Sequence, residues 1–163
     1  TDPIINLFKF ITPSFLFGGF IDVVFYHEPT NTIKILDIKT STRGWNKYQK
    51  SDKYKNAQIV IYKKYYSELF QIPLEKIKVE YQIMRRKLYE DAPFPIPYIS
   101  RHVPANGKPT VNKVYTEFMN FVNEVFDDEG KYRDLPYPKV PGDRQKNCRF
   151  CEFKTRGICD GKA

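Results

Sequence analysis

The stretch Ile35-Leu-Asp-Ile-Lys-Thr-Ser41, ILDIKTS, sets an aspartate and a lysine two positions apart inside an otherwise apolar run. Side chains alternate along a strand, so Asp37 and Lys39 point to the same face. A solvated ion pair on an edge strand is one explanation. A site is the other, in which the carboxylate holds a cation and the ammonium meets a charged group. The neighbouring sequence bears on the choice.

Upstream, residues 15–28 (FLFGGFIDVVFYHE) read as a strand, and 29–32 (PTNT) carry turn chemistry. Residues 33–41 then return, so 15–41 reads as a hairpin. Residues 5–11 form an earlier strand, ended at Thr12-Pro13. Downstream of a basic loop at 42–50, Ser51 or Asp52 is placed to cap a helix running to about Phe70. Its expected apolar face is Tyr54, Ile61, Tyr65 and Leu69. Residues 76–89 alternate like a strand, and 92–109, with five prolines, read as a loop. Thr110 caps a second expected helix at 111–126, with Val111, Tyr115, Phe118, Val122 and Phe126 on its inner face. The order predicts an α/β fold: a mixed central sheet flanked by helices over residues 1–130, then a Pro-rich, cysteine-bearing tail over 131–163 packed on that core.

With 163 residues, 41% of them hydrophobic, the chain has the size and content of one folded domain. No apolar run is long enough to span a membrane, and the expected setting is intracellular, a host cytoplasm if the source is viral. The net charge is +8, and residues 34–64 carry nine Lys/Arg against two Asp. That density suits a polyanion such as nucleic acid, or else a lysine-rich solvated surface. Arg43, Trp45, Lys47, Tyr48, Lys55 and Arg85 are the candidate nucleic-acid contacts, with the two aromatics able to stack bases or to cover the sheet.

If the hairpin pairs about its turn, Asp22 lies diagonally near Asp37. Two such carboxylates repel unless a cation sits between them, and oxygen ligands suit Mg²⁺ or Mn²⁺. Lys39 would then face the substrate phosphate and stabilise developing charge. In the helix that follows, Gln58 and Tyr62 are four apart and share a face.

Gly19-Phe-Ile-Asp22, Asp37-Ile-Lys39 and Gln58-x-x-x-Tyr62, in this order, resemble the consecutive motifs of the RecB-type branch of the PD-(D/E)xK nuclease superfamily, which includes phage exonucleases and nucleases of CRISPR adaptation. The resemblance spans about residues 5–90 and implies a restriction-endonuclease-like core. It implies that Asp22 and Asp37 bind the metal, that the carbonyl of Ile38 joins them, and that Lys39 is the catalytic lysine. It further implies that Gln58 and Tyr62 support the site and contact DNA. The implied activity is metal-dependent DNA hydrolysis, exonucleolytic on single strands or ends, in repair or recombination, with an attached or associated helicase as a possible partner. The family also has an acidic residue on a helix before the first strand. No such residue stands here, which leads to the expectation of an N-terminal truncation and of an incomplete catalytic set. The alternative function is a non-catalytic nucleic-acid-binding module with the same fold.

All three cysteines lie in Cys148-x-x-Cys151-x7-Cys159, and two sulfurs of a C-x-x-C can face one metal. Three ligands are one short of the usual four, and His102 is a conceivable fourth. A similar trio in RecB-type nucleases holds a [4Fe–4S] cluster with a cysteine upstream of the core. Zinc and three plain thiols are the other readings.

Overall fold

The ILDIK run forms the middle of β4 (Thr32–Ser41), which is paired along both sides. The computed structural model describes residues 5–12, 15–87, 93, 97–136 and 138–162. On one side β4 runs antiparallel to β3 (Val23–His27), with Val23 opposite Leu36. On the other it runs parallel to β5 (Ile77–Arg85), with Asp37 opposite Tyr81. A fourth strand, β6 (Ile99–His102), is antiparallel to β5, giving a mixed sheet in the order β3-β4-β5-β6. The edge-strand explanation of the Asp37–Lys39 pair is thereby removed.

The strand expected over 15–28 is two strands. β2 (Phe15–Ile21) pairs antiparallel with β1 (Ile5–Thr12), β3 pairs with β4, and Asp22 is the bend between them. The side chain of Asp22 takes the N–H of Ile38 at 2.7 Å. Its carboxylate therefore anchors the chain at the point where it leaves one ladder for the other. The β3–β4 connection is a 3₁₀ turn over Glu28–Thr30 closed by Asn31 in the left-handed region, as its turn residues imply.

Between the parallel strands runs α2 (Lys53–Leu69), the crossover that a parallel pair requires. Asp52 caps it by accepting from the N–H groups of Tyr54 and Lys55. Just before it, Asn46 and Gln49 form a reciprocal cap for the short α1 (Lys47–Ser51), inside what reads as loop from sequence. The buried side of α2 is broader than expected. Ile59, Val60, Ile61, Tyr62, Lys63, Tyr65 and Tyr66 are buried, whereas Tyr54 and Leu69 are exposed. The helix meets β1, the β4–β5 pair and α3 (Lys108–Val125), so three sides are covered rather than one. Ile35, Val79 and Ile83 supply the sheet side of the core, and Leu7 and Ile21 the β1–β2 side.

Two further differences concern prolines. The Pro-rich segment contains β6, whose residues 99–102 hold no proline and pair with β5. α3 starts at Lys108, before Thr110, because Pro109 falls in the first turn, where a missing N–H costs no hydrogen bond. Four of the five residues expected on the inner face of α3 lie inward, Val111 and Val122 buried and Tyr115 and Phe118 packed against the core, whereas Phe126 is the extended C-cap beyond the helix.

The chain divides into two compact units, Thr1–Lys131 and Tyr132–Ala163. The second has a 3₁₀ segment at Asp143–Cys148, the short α4 (Glu152–Thr155) and a left-handed Gly157 after it. Among the described residues no helix is long and apolar enough to cross a membrane.

Candidate active site

Asp37 is 3% exposed in a strand flanked on both sides, and the Lys39 ammonium lies 2.8 Å from its Oδ1. The approach is ionic and lacks the alignment of a hydrogen bond, so this buried oxygen keeps no aligned donor. Burial pushes the Asp37 carboxyl up; Lys39 pulls it down and the charge of Asp22 adds to the rise. Asp22 arrives beside it because β3 and β4 pair with Val23 opposite Leu36. One Asp22 oxygen is committed to the Ile38 N–H.

From α2, Gln58 accepts a hydrogen bond from Lys39 Nζ through Oε1 at 3.0 Å. Its Nε2 donates to the Tyr62 hydroxyl at 3.0 Å, across one helical turn. Asp37, Lys39, Gln58 and Tyr62 thus form one line of contacts, with Asp22 at its end. The line leaves Gln58 exposed but occupied at both ends of its amide.

Beneath Lys39 lies Tyr81, fully buried, its ring centroid 5.9 Å from the ammonium. Its hydroxyl donates to the Lys55 carbonyl at 2.6 Å, tying β5 to the first turn of α2. Burial, with the charge of Asp37 adding to it, pushes this phenol well above its ordinary value. Trp45 packs on Tyr81 at 5.1 Å between centroids, and the His102 ring lies parallel to Tyr81 at 6.2 Å. His102 Nε2 meets Asn56 Oδ1 at 3.0 Å, an engaged position in the first unit. Tyr81 carries no polar motif in the sequence. The signal that identifies it is alternation: Val79, Tyr81 and Ile83 are the inward positions of β5, and the parallel register sets Tyr81 opposite Asp37.

At the C-terminal end of β4 an open basin is lined by Arg43, Trp45, Lys55 and Arg86, with Thr40 and Thr42. Lys47 and Tyr48 are exposed beside each other, the ammonium 5.1 Å from the ring. Trp45 is partly buried as cover on the core, and Tyr48 is 72% exposed, so the two aromatics part company. Arg85 turns under Gly44, where a Cβ would stand 3.2 Å from its Nε; its neighbour Arg86 lines the basin.

In the second unit, Cys148, Cys151 and Cys159 border one cavity together with Val140, Phe153 and Ile158. They are free thiols, and the Cys159 sulfur accepts the N–H of Gly161 at 3.4 Å. Among the described residues no three His, Cys, Asp or Glu side chains are gathered as a metal-ligand group. The three thiols thus border one cavity without being drawn together as a ligand set. The Asp22–Asp37 pair does fit part of a hard-cation shell: two carboxylates, one with a buried oxygen lacking an aligned donor.

A family model for the PD-(D/E)XK nuclease superfamily matches residues 4–160. The chain belongs to that superfamily. Its mixed four-stranded sheet flanked by helices is consistent with the restriction-endonuclease-like fold of PD-(D/E)XK proteins. PD-(D/E)XK proteins are typically nucleases that usually use Mg²⁺ or Mn²⁺, and a nuclease fold implies DNA binding. No curated protein matches the chain significantly.

Proposed function

We propose that this chain is the DNA-cleaving domain of a RecB-type exonuclease, acting on single strands or ends. The observation that carries the reading is the Lys39 ammonium held between Asp37 and Gln58, beside Asp22. Asp22, Asp37 and the Ile38 carbonyl would hold Mg²⁺ or Mn²⁺, which when bound lowers the pKa of a ligated water and offsets charge on phosphorus. Lys39, fixed at both its contacts, is oriented to stabilise negative charge on the scissile phosphate. Arg43, Lys55 and Arg86 in the basin, with Lys47 and Tyr48 nearby, support strand binding by charge and stacking. In this reading residues 1–130 are the nuclease core and 131–163 a cysteine-bearing appendage of an intracellular protein, whose partner is DNA and a helicase its expected companion.

The alternative is a binding module without catalysis. It is favoured by one observation: among the described residues no third acidic or histidine side chain joins Asp22 and Asp37. The test is cleavage of an end-labelled single-stranded oligonucleotide with Mg²⁺ or Mn²⁺. Cleavage that Lys39→Ala lowers about a hundredfold, the usual scale for losing one transition-state charge partner, supports the nuclease. Binding without metal-dependent cleavage supports the module.

For Cys148, Cys151 and Cys159 the proposed role is ligation of a [4Fe–4S] cluster, with zinc the lesser fit. It requires the three sulfurs to draw closer and a fourth ligand from beyond this cavity. Anaerobic purification with iron and zinc analysis decides it, a colourless metal-free protein leaving three ordinary thiols.

A further inference from the structure

Gly18 and Gly19 are adjacent on β2, yet their surroundings differ. Gly18 is exposed, and a Cβ there would approach only the side chain of Phe8, itself half exposed, at 3.2 Å. Gly19 is buried, and a Cβ there would stand 2.7 Å from Cε1 of Tyr62 and 3.3 Å from Cε1 of Phe17. A Cβ contact under 3.0 Å is not sustained in a protein, so something has to move. Tyr62 is 7% exposed and wedged edge-on against Phe17, whose ring also packs on Tyr65. In a close-packed interior a displaced ring pushes on such neighbours.

We infer that Gly19 is a positioning residue: its missing side chain admits the Tyr62 ring, whose hydroxyl orients the Gln58 amide that holds Lys39 against Asp37. The inference rests on the nuclease reading for its consequence, but the contacts stand without it. Tyr62 OH accepts from Gln58 Nε2 at 3.0 Å, which turns Oε1 toward Lys39. The amide has one carbonyl and one NH₂, so losing the tyrosine acceptor frees the side chain to rotate and offer Lys39 a donor, which repels it. A strand from the β1–β2 ladder thereby sets the lysine of the four-stranded sheet through two residues of α2. Three separate sequence motifs are coupled by one relay, and the glycine matters for clearance rather than for backbone freedom.

The experiment compares the wild type with Gly19→Ala, Gly18→Ala, Tyr62→Ala and Gly19→Ala/Tyr62→Ala. The first readout is NMR of the Gln58 side-chain amide and the Lys39 ε-methylene, which needs no activity. Gly19→Ala should shift both signals and Gly18→Ala neither. In the Tyr62→Ala background the ring is absent, so adding Gly19→Ala should produce no further shift. That double variant also keeps the test alive if Gly19→Ala alone does not fold, because the clash is gone. The second readout is steady-state cleavage. Gly19→Ala should lower kcat by about a hundredfold, the scale of a roughly 1 Å misplacement, with KM changed less than about twofold. Unmoved Gln58 and Lys39 signals in folded Gly19→Ala overturn the inference, as does an equal further effect of the glycine change without Tyr62. If Lys39→Ala abolishes cleavage and Gly19→Ala does not, the relay fails and the nuclease reading stands. If the wild type does not cleave while the NMR shifts appear, the nuclease reading fails and the relay stands.

Discussion

Salt dependence of DNA binding separates a built phosphate track from a merely basic surface. Nine Lys/Arg fall in residues 34–64, and counting them alone gives a slope of log affinity against log salt of about −6, at about 0.7 per contact on single strands. The structure reduces that number. Lys34 pairs with Glu80, Lys39 with Asp37 and Lys64 with Glu68. Lys63 is buried and donates to Asn106. Three cations line the basin, Arg43, Lys55 and Arg86, with Lys55 only loosely paired to Asp52 at 3.8 Å, while Lys47 lies outside the lining and is not counted. Three contacts predict a slope near −2 and an affinity loss of about twentyfold between 50 and 200 mM salt, whereas nine contacts predict a loss of several thousandfold. Fluorescence anisotropy of a labelled oligonucleotide, measured without divalent metal at several salt concentrations, reads this directly. Arg43→Ala, Lys55→Ala and Arg86→Ala should each flatten the slope by about 0.7, and Lys64→Ala should leave it unchanged. A slope near zero, or an equal change from Lys64→Ala, refutes the assignment of the basin as the track.

Two further outcomes follow from the buried layer under Lys39. Tyr81→Phe removes the donor to the Lys55 carbonyl and should cost about 1–3 kcal/mol, seen as a melting temperature lower by roughly 3–10 °C; an unchanged melt would deny the hydroxyl a role in anchoring α2. His102 has its pKa lowered from 6.5 by burial first and by the Lys50 charge second. Because the fold disfavours the ionised ring, its contribution is fully present above about 6.5 and is lost as the pH falls from there through the lower folded value. Urea unfolding should show this acid-side decline, and His102→Gln should flatten it; a parallel decline in both proteins would assign it to other groups.

The candidate site was legible wherever chemistry and spacing coincide. Asp37 and Lys39 share a strand face by parity, and Gln58 and Tyr62 share a helix face by periodicity; Asp52 is a cap by residue type. What the sequence concealed was tertiary. The continuous apolar character of 15–28 hides the bend at Asp22, because the break is made by a long-range hydrogen bond to Ile38 rather than by a turn residue. The buried side of α2 is wider than its periodicity implies because the helix is covered on three sides, which erases the one-sided stripe that periodicity detects. β6 escaped because four residues between prolines gain their strand character from pairing with β5 alone. Tyr81 escaped because an inward aromatic on a strand looks like core; its place opposite Asp37 exists only in the parallel register.

The Asp22–Asp37 metal site is tested most directly by Mn²⁺ titration of the chain, by calorimetry or by the electron paramagnetic resonance of free Mn²⁺. The wild type, Asp22→Asn, Asp37→Asn and a variant with all three cysteines replaced by serine are compared. One saturable site is expected in the wild type and in the cysteine variant, weakened in Asp22→Asn and lost in Asp37→Asn. Equal Mn²⁺ binding by all four proteins would contradict the Asp22–Asp37 site.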